Sequence, residues 1–172
     1  MPPCEQPRPP EPAAPRYSAH PLPGSRYLPG RTPRPDPGRP PAGNLDPRRW
    51  SACEAWLHAV DLYNGAFWWE CHEVLEALYR GLPRGSPARE VLQGLVQIAA
   101  ANLKRFLGRQ AAAERLCARG AAHLRAVGGV ALGLPLGSFA AQAENWVAGR
   151  RTAPPSIRLR GRPAARPPRR PA

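Results

Sequence analysis

The sequence predicts an all-α protein: a single helical bundle of about five helices, with a proline-rich N-terminal arm and an arginine- and proline-rich C-terminal tail. Three observations predict it. Proline is segregated, with 16 of the 25 prolines in residues 1–48, three in 49–152 and six in 153–172, so regular helices are confined to the middle. Within that middle, apolar residues recur three and four apart in successive blocks, opened by capping residues or closed by glycine. No alternating strand pattern, glycine-rich phosphate loop or GxSxG elbow occurs, which leaves nucleotide-dependent and common serine-hydrolase chemistry without support. The chain therefore divides into an extended arm at 1–44, a helical domain at 45–150 and a basic, disordered tail at 151–172.

In the arm, Tyr17, Leu22, Tyr27 and Leu28 are the side chains able to pin the chain to the domain, and Arg26–Gly30 is the piece expected to be ordered. Asp46 followed by Pro47 opens the first helix, since the carboxylate accepts orphan amide hydrogens and proline at the first helical position loses nothing. That helix runs to about Asn64 with a stripe of Trp50, Cys53, Leu57 and Val60, and Gly65 closes it. The second, about Phe67 to Arg80, gathers Phe67, Cys71, Val74, Leu75 and Leu78 on one arc. His72 falls at the edge of that arc and is expected inside; Glu76 is a boundary position, and Glu70 and Glu73 face away. Ser86 and Pro87 open the third helix, which is apolar on nearly every side from Val91 to Leu103 and so is expected at the centre. Gln93 and Gln97 interrupt it, with Lys104 nearby, and the second helix is expected to partner them. The fourth helix covers about Gln110 to Val127 with Leu116, Cys117, Leu124 and Val127 inward, Gly120 permitting close helix contact and Gly128-Gly129 ending it. Residues 130–137 read as a loop, after which Ser138 caps a fifth helix carrying Phe139, Ala143, Trp146 and Val147.

A net charge of +13 and a pI near 11.2 invite a nucleic-acid reading, but location matters more than total. Residues 49–152 hold twelve basic and eight acidic groups, whereas 153–172 hold six basic and none acidic. The tail is read as a solvated cationic segment able to make weak nonspecific contact with nucleic acid, against the alternative that GC-rich codons alone produced it. Cys4, Cys53, Cys71 and Cys117 form no CxxC pair and read as reduced. With no secretory pattern and no long apolar run, a soluble cytoplasmic protein with no membrane contact is expected.

The segment from Phe67 to Tyr79 carries the chemistry. His72, Glu76 and Tyr79 fall on neighbouring turns of one side of a helix and can touch one another. Three readings stay open. In one, the pair is a satisfied core network that fixes helix packing. In another, His72 is a general acid or base oriented by Glu76, while Tyr79, Gln93 and Gln97 hold a small polar ligand and Trp69 walls the pocket or meets a partner subunit. In the third, His72-Glu73-x-x-Glu76 resembles HExxH with glutamate for the second histidine; zinc wants a third protein ligand, for which His58, His123 and Asp61 are only guesses. No cofactor is assigned and no residue is assigned as a metal ligand, though a metal at His72 and Glu76 stays open. Substrate, enzymatic character and oligomeric state are not written in the sequence. A second class of function, an interaction module using the bundle surface and the arginine tail, is carried alongside.

The run Tyr63-Asn64-Gly65-x-Phe67-x-x-Glu70-x-His72-Glu73-Val74-Leu75-Glu76, followed by Gln93-Gly94-Leu95-Val96-Gln97-Ile98-Ala99-Ala100-Ala101, resembles the DUF309 family of bacterial and archaeal proteins over about residues 47–127. Arg26-Tyr27-Leu28-Pro29-Gly30 is similar to the segment that precedes that domain. The resemblance implies an α-helical domain whose HxxxExxW motif lines a cavity proposed as an active site, with no established activity. Its first two positions fall on His72 and Glu76. The third is Tyr79, whose phenol donates and accepts where an indole only donates. Lys104 stands where family members often carry histidine.

Overall fold

Asp46 accepts the Arg48 amide at 2.9 Å, and the helical start it caps is a 3-10 turn, Pro47–Ala52. In the computed structural model, which describes residues 14–34 and 43–161, this turn breaks at the extended residue Cys53, and α1 (Glu54–Asn64) starts afresh. Four further helices follow: α2 (Trp68–Arg80), α3 (Pro87–Phe106), α4 (Gln110–Val127) and α5 (Leu136–Val147). The all-α bundle is as the periodicity predicts. Ser86 caps α3 as expected, its hydroxyl accepting the Arg89 amide.

The turn into α2 uses its glycine differently from the expectation. Gly65 has an ordinary φ of −82, and the left-handed residue is Ala66, at φ 60. Gly65 is needed for space, because a Cβ there would lie 2.8 Å from the Phe67 ring. Space also explains the glycines of α3 and α4: a Cβ on Gly94 would fall 2.8 Å from the Gly120 carbonyl, and one on Gly120 would fall 2.6 Å from the Gly94 carbonyl. The two backbones touch there, as Gly120 suggested. Ile98 and Leu124 flank that contact, fully buried.

Residues 130–137 are not a loop. Val130–Ala131 (β1) pairs antiparallel with Leu134–Pro135 (β2), and the connecting Leu132 and Gly133 both have positive φ, 52 and 78. This is a two-residue hairpin in which leucine occupies a position usually given to asparagine or glycine; burying Leu132 offsets the backbone strain. The hairpin feeds α5 directly, so α5 begins two residues before Ser138, whose hydroxyl donates to the Pro135 carbonyl instead of capping.

Helix α1, expected to bury one face, is buried all round from Ala55 to Asn64, so it shares the centre with α3. Two strands of irregular chain cover its remaining sides. The arm packs Tyr17 and Leu28 into the core, and Leu22 is half-buried against it. The segment after α5 buries Ile157 and Leu159, so the expectation of a solvated tail from residue 151 fails for its first part. Asn64 fastens that segment by donating to the Ile157 carbonyl at 2.9 Å and accepting the Ile157 amide at 2.7 Å. The Leu159 amide then donates to the Tyr17 hydroxyl, joining the two strands. Residues 162–172, which carry most of the arginine-tail reading, and 1–13 lie outside the described residues, as does the proline-rich 35–42.

Inside the bundle, Tyr63 packs edge-on against Phe139 and accepts a 3.0 Å hydrogen bond from the Asn102 amide. Burial raises the Tyr63 pKa, so the phenol stays neutral. Cys53, Cys71 and Cys117 are free and buried, and burial pushes the Cys117 thiol up to about 11. Of the positions expected inward on α4, Leu116 and Val127 are only half-buried. No helix among the described residues is long and apolar enough to cross a membrane.

Candidate functional site

Helix α2 buries Cys71, Val74, Leu75 and Leu78, and this fixes the opposite register on its outer flank. Trp69, His72 and Glu76 follow one another at three- and four-residue steps along that flank. The Trp69 indole stacks on the His72 imidazole with centroids 6.0 Å apart and planes at 17°. His72 is at the rim and not inside: its side chain is 28% exposed. One ring nitrogen, Nδ1, is nonetheless shielded from solvent and has no hydrogen-bond partner. The Glu73 carboxylate stands 3.4 Å from it, out of line for a hydrogen bond.

Glu73 was expected to face away, and Glu76 to orient His72. Glu73 is exposed as expected, although its carboxylate reaches to 3.4 Å from the ring nitrogen without bonding it, and Glu76 does not orient His72. A helical wheel fixes only the Cβ direction, and the long glutamate side chain at 73 folds back toward the ring. Glu76 instead takes Arg80, one turn on, at 3.0 Å, and no hydrogen bond joins it to His72. Ligand atoms from His72, Glu73 and Glu76 nevertheless all lie within 4.8 Å of one another. An imidazole and two carboxylates thus converge on one spot, with an indole as the adjoining wall.

The arm completes the surroundings. Arg26 donates to the Gly65 carbonyl at 2.8 Å and covers the Phe67 ring, and the Tyr27 amide donates to Glu70 at 2.7 Å. Burial raises the Glu70 pKa, opposed by the Tyr27 amide, and burial lowers that of Arg26, opposed by Glu70. Tyr27 meets Trp69 edge-on at 5.0 Å, and the Arg34 guanidinium lies 5.4 Å over the same indole. The Arg26–Gly30 piece is ordered as the sequence suggested, and it braces the aromatic wall beside His72.

The remaining expected site residues are not brought to this spot. Tyr79 is covered by the Arg89 guanidinium, 4.0 Å over its ring. Gln97 leans toward α4, its Cβ lying 3.3 Å from where a Cβ on Gly120 would stand, and its buried carbonyl oxygen has no partner. Gln93 precedes it by one turn on the same half-buried stripe, with Lys104 further along. Residues offered as a third metal ligand are also engaged elsewhere. His123 pairs with Glu90 at 2.7 Å. Asp61 is sealed beneath the arm, accepting from Arg16 Nε, the Tyr17 amide, and the Ser18 amide and hydroxyl at 2.7–3.0 Å. His58, one turn before it, is buried against His20 with its Nδ1 unpartnered. Burial, reinforced by His20, pulls its pKa down to about 4. The sequence held a signal for Asp61: a carboxylate in the middle of α1, set between Val60 and Leu62 and one turn from Leu57.

Fold and site together define a small all-α domain with a histidine–carboxylate face on its second helix. Residues 56–116, from α1 into α4, match the family model DUF309, a domain of unknown function, and the chain carries a DUF309 domain over that segment. The arm, the hairpin, α5 and the strand through Ile157 lie beyond the matched residues. No curated protein matches the chain.

Proposed function

We propose that the outer flank of α2 is a binding site for a small, positively charged or hydrogen-bond-donating ligand, with His72 able to accept or deliver a proton there. The observation that carries this reading is the convergence of His72, Glu73 and Glu76 within 4.8 Å, next to a shielded ring nitrogen with nothing to bond. A half-buried imidazole next to carboxylates has the geometry to pass a proton to or from a bound ligand. Trp69, held by Tyr27 and Arg34, supplies a flat wall for the ligand's body. Glu76 is free to change partner, because an exposed ion pair such as Glu76–Arg80 is worth only about 0.5 kcal/mol. The test is a thermal-shift screen of small amines and amides on wild type and His72→Ala. A ligand at 100 times its Kd stabilises the protein by about 2.7 kcal/mol, and that gain should vanish in the variant. Identical ligand profiles for the two proteins would remove the proposal.

A second reading, a divalent cation held by the same three side chains, is favoured by their spacing alone. Zinc would need them at about 2.0–2.2 Å with solvent in the fourth position, and Arg80 would have to release Glu76. Zinc titration followed by calorimetry separates the readings: binding lost in both Glu73→Gln and Glu76→Gln supports the cation, and binding kept in both refutes it.

A further inference from the structure

Four stretches distant in sequence line an open cavity of about 390 Å³ that shares no residue with the α2 flank. They are the 3-10 turn, through Pro47 and Trp50; the first turn of α3, through Ala88; the hairpin, through Val130 and Leu132; and Arg160. The volume is within the roughly 300–1,000 Å³ usual for small-molecule sites. Its wall is mostly apolar. Val130, at 52% exposed, is the one large hydrophobic side chain so exposed among the described residues. Hairpin and indole are in tight contact in that wall: a Cβ on Gly133 would come within 2.5 Å of the Trp50 ring.

Arg160 is the only charged residue in the lining. Its amide donates to the Gly133 carbonyl at 2.8 Å, which anchors the backbone beneath its side chain. Among the described residues its guanidinium has no carboxylate partner. An apolar wall with one unpaired guanidinium matches a ligand of the same division.

We propose that this cavity binds a small amphipathic carboxylate, its aryl or alkyl body against Trp50, Leu132 and Val130 and its carboxylate on Arg160. A single guanidinium offers two parallel N–H donors, the geometry a carboxylate accepts. Phosphate recognition would call for a second cation or a nest of amides, and the lining holds one cation. The site is separate from the α2 proposal and stands or falls without it.

The experiment is an NMR titration of the full chain that follows backbone amides and indole N–H signals. Phenylbutyrate and octanoate are the probes, with phenylbutanol as the neutral counterpart and inorganic phosphate as the charge without a body. Saturable shifts are expected at the Trp50 indole and the Leu132 and Gly133 amides, with phenylbutanol about tenfold weaker and phosphate producing none. Arg160→Gln should weaken phenylbutyrate about tenfold and leave the melting temperature unchanged. Val130→Asp, which sets a like charge in the exposed wall, should weaken it too. The proposal is overturned by the absence of saturable shifts at Trp50 and Gly133, by equal binding of the alcohol, or by an Arg160→Gln protein that binds as wild type does.

Discussion

His58 with Asp61 on α1, and His72 with Glu76 and the adjacent Glu73 on α2, both set an imidazole one turn from a carboxylate and end in opposite conditions. Asp61 is fully buried and accepts four hydrogen bonds, all from residues 16–18. Glu73 and Glu76 are about two-fifths exposed, and each has at most one loose ionic neighbour. The difference teaches where chemistry is available in this fold. A carboxylate taken out of water must be surrounded by donors, and those donors leave no coordination for a ligand. Carboxylates at the rim keep their hydration and their freedom to change partner. Histidine follows the same division. His58 is held neutral by burial, while His72 keeps one edge in solvent.

The sharpest way to break this comparison is to remove the buried carboxylate. Asp61→Ala leaves Arg16 Nε and three other donors without an acceptor, and should cost about 3–5 kcal/mol in urea unfolding. A loss below about 1 kcal/mol would show that the arm contributes little to the fold. Next in size is the backbone contact that holds α3 and α4 together. Gly120→Ala forces a methyl group onto the Gly94 carbonyl and should destabilise by about 1–3 kcal/mol.

Acid titration sharpens the contrast between the histidines. The folded pKa of His58, about 4, lies below its unfolded value of about 6.5. The unfolded chain therefore takes up a proton that the folded chain refuses, and stability falls as pH drops from about 6.5 toward 4. His58→Gln should flatten the melting-temperature profile in that window relative to wild type. A profile of unchanged slope would mean that His58 is not the group responsible. The smallest effect is expected on α2, where Glu76→Gln removes only the exposed pair with Arg80 and should change stability by no more than about 0.5 kcal/mol. A large loss there would mean that the rim is structural after all.

Sequence periodicity located the five helices, and the caps at Asp46 and Ser86 and the close-approach glycine at 120 were readable because each rests on local chemistry. What escaped reading is non-local. Nothing in the residues around Asp61 or Asn64 says that their partners lie at 16–18 and 157. The hairpin was hidden by a leucine at a left-handed position, which only its burial explains. Around His72 the helix register was legible but the side-chain torsions were not, so the bond expected between Glu76 and His72 gave way to the Glu76–Arg80 pair. The partner expected for Gln97 on α2 is not found among the described residues, because a half-buried stripe does not say what its polar ends will meet.

The hydrogen bond from the Leu159 amide to the Tyr17 hydroxyl closes a belt around α1, drawn from both sides of the DUF309 match. A peptide trimmed to 56–116 would strip the belt away and leave Asp61 and Asn64 as orphans on a greasy rod. The contacts that bury α1 thus reach beyond the matched segment on both sides, and a protease cut in either half of the belt should loosen the other half, 142 positions away in sequence.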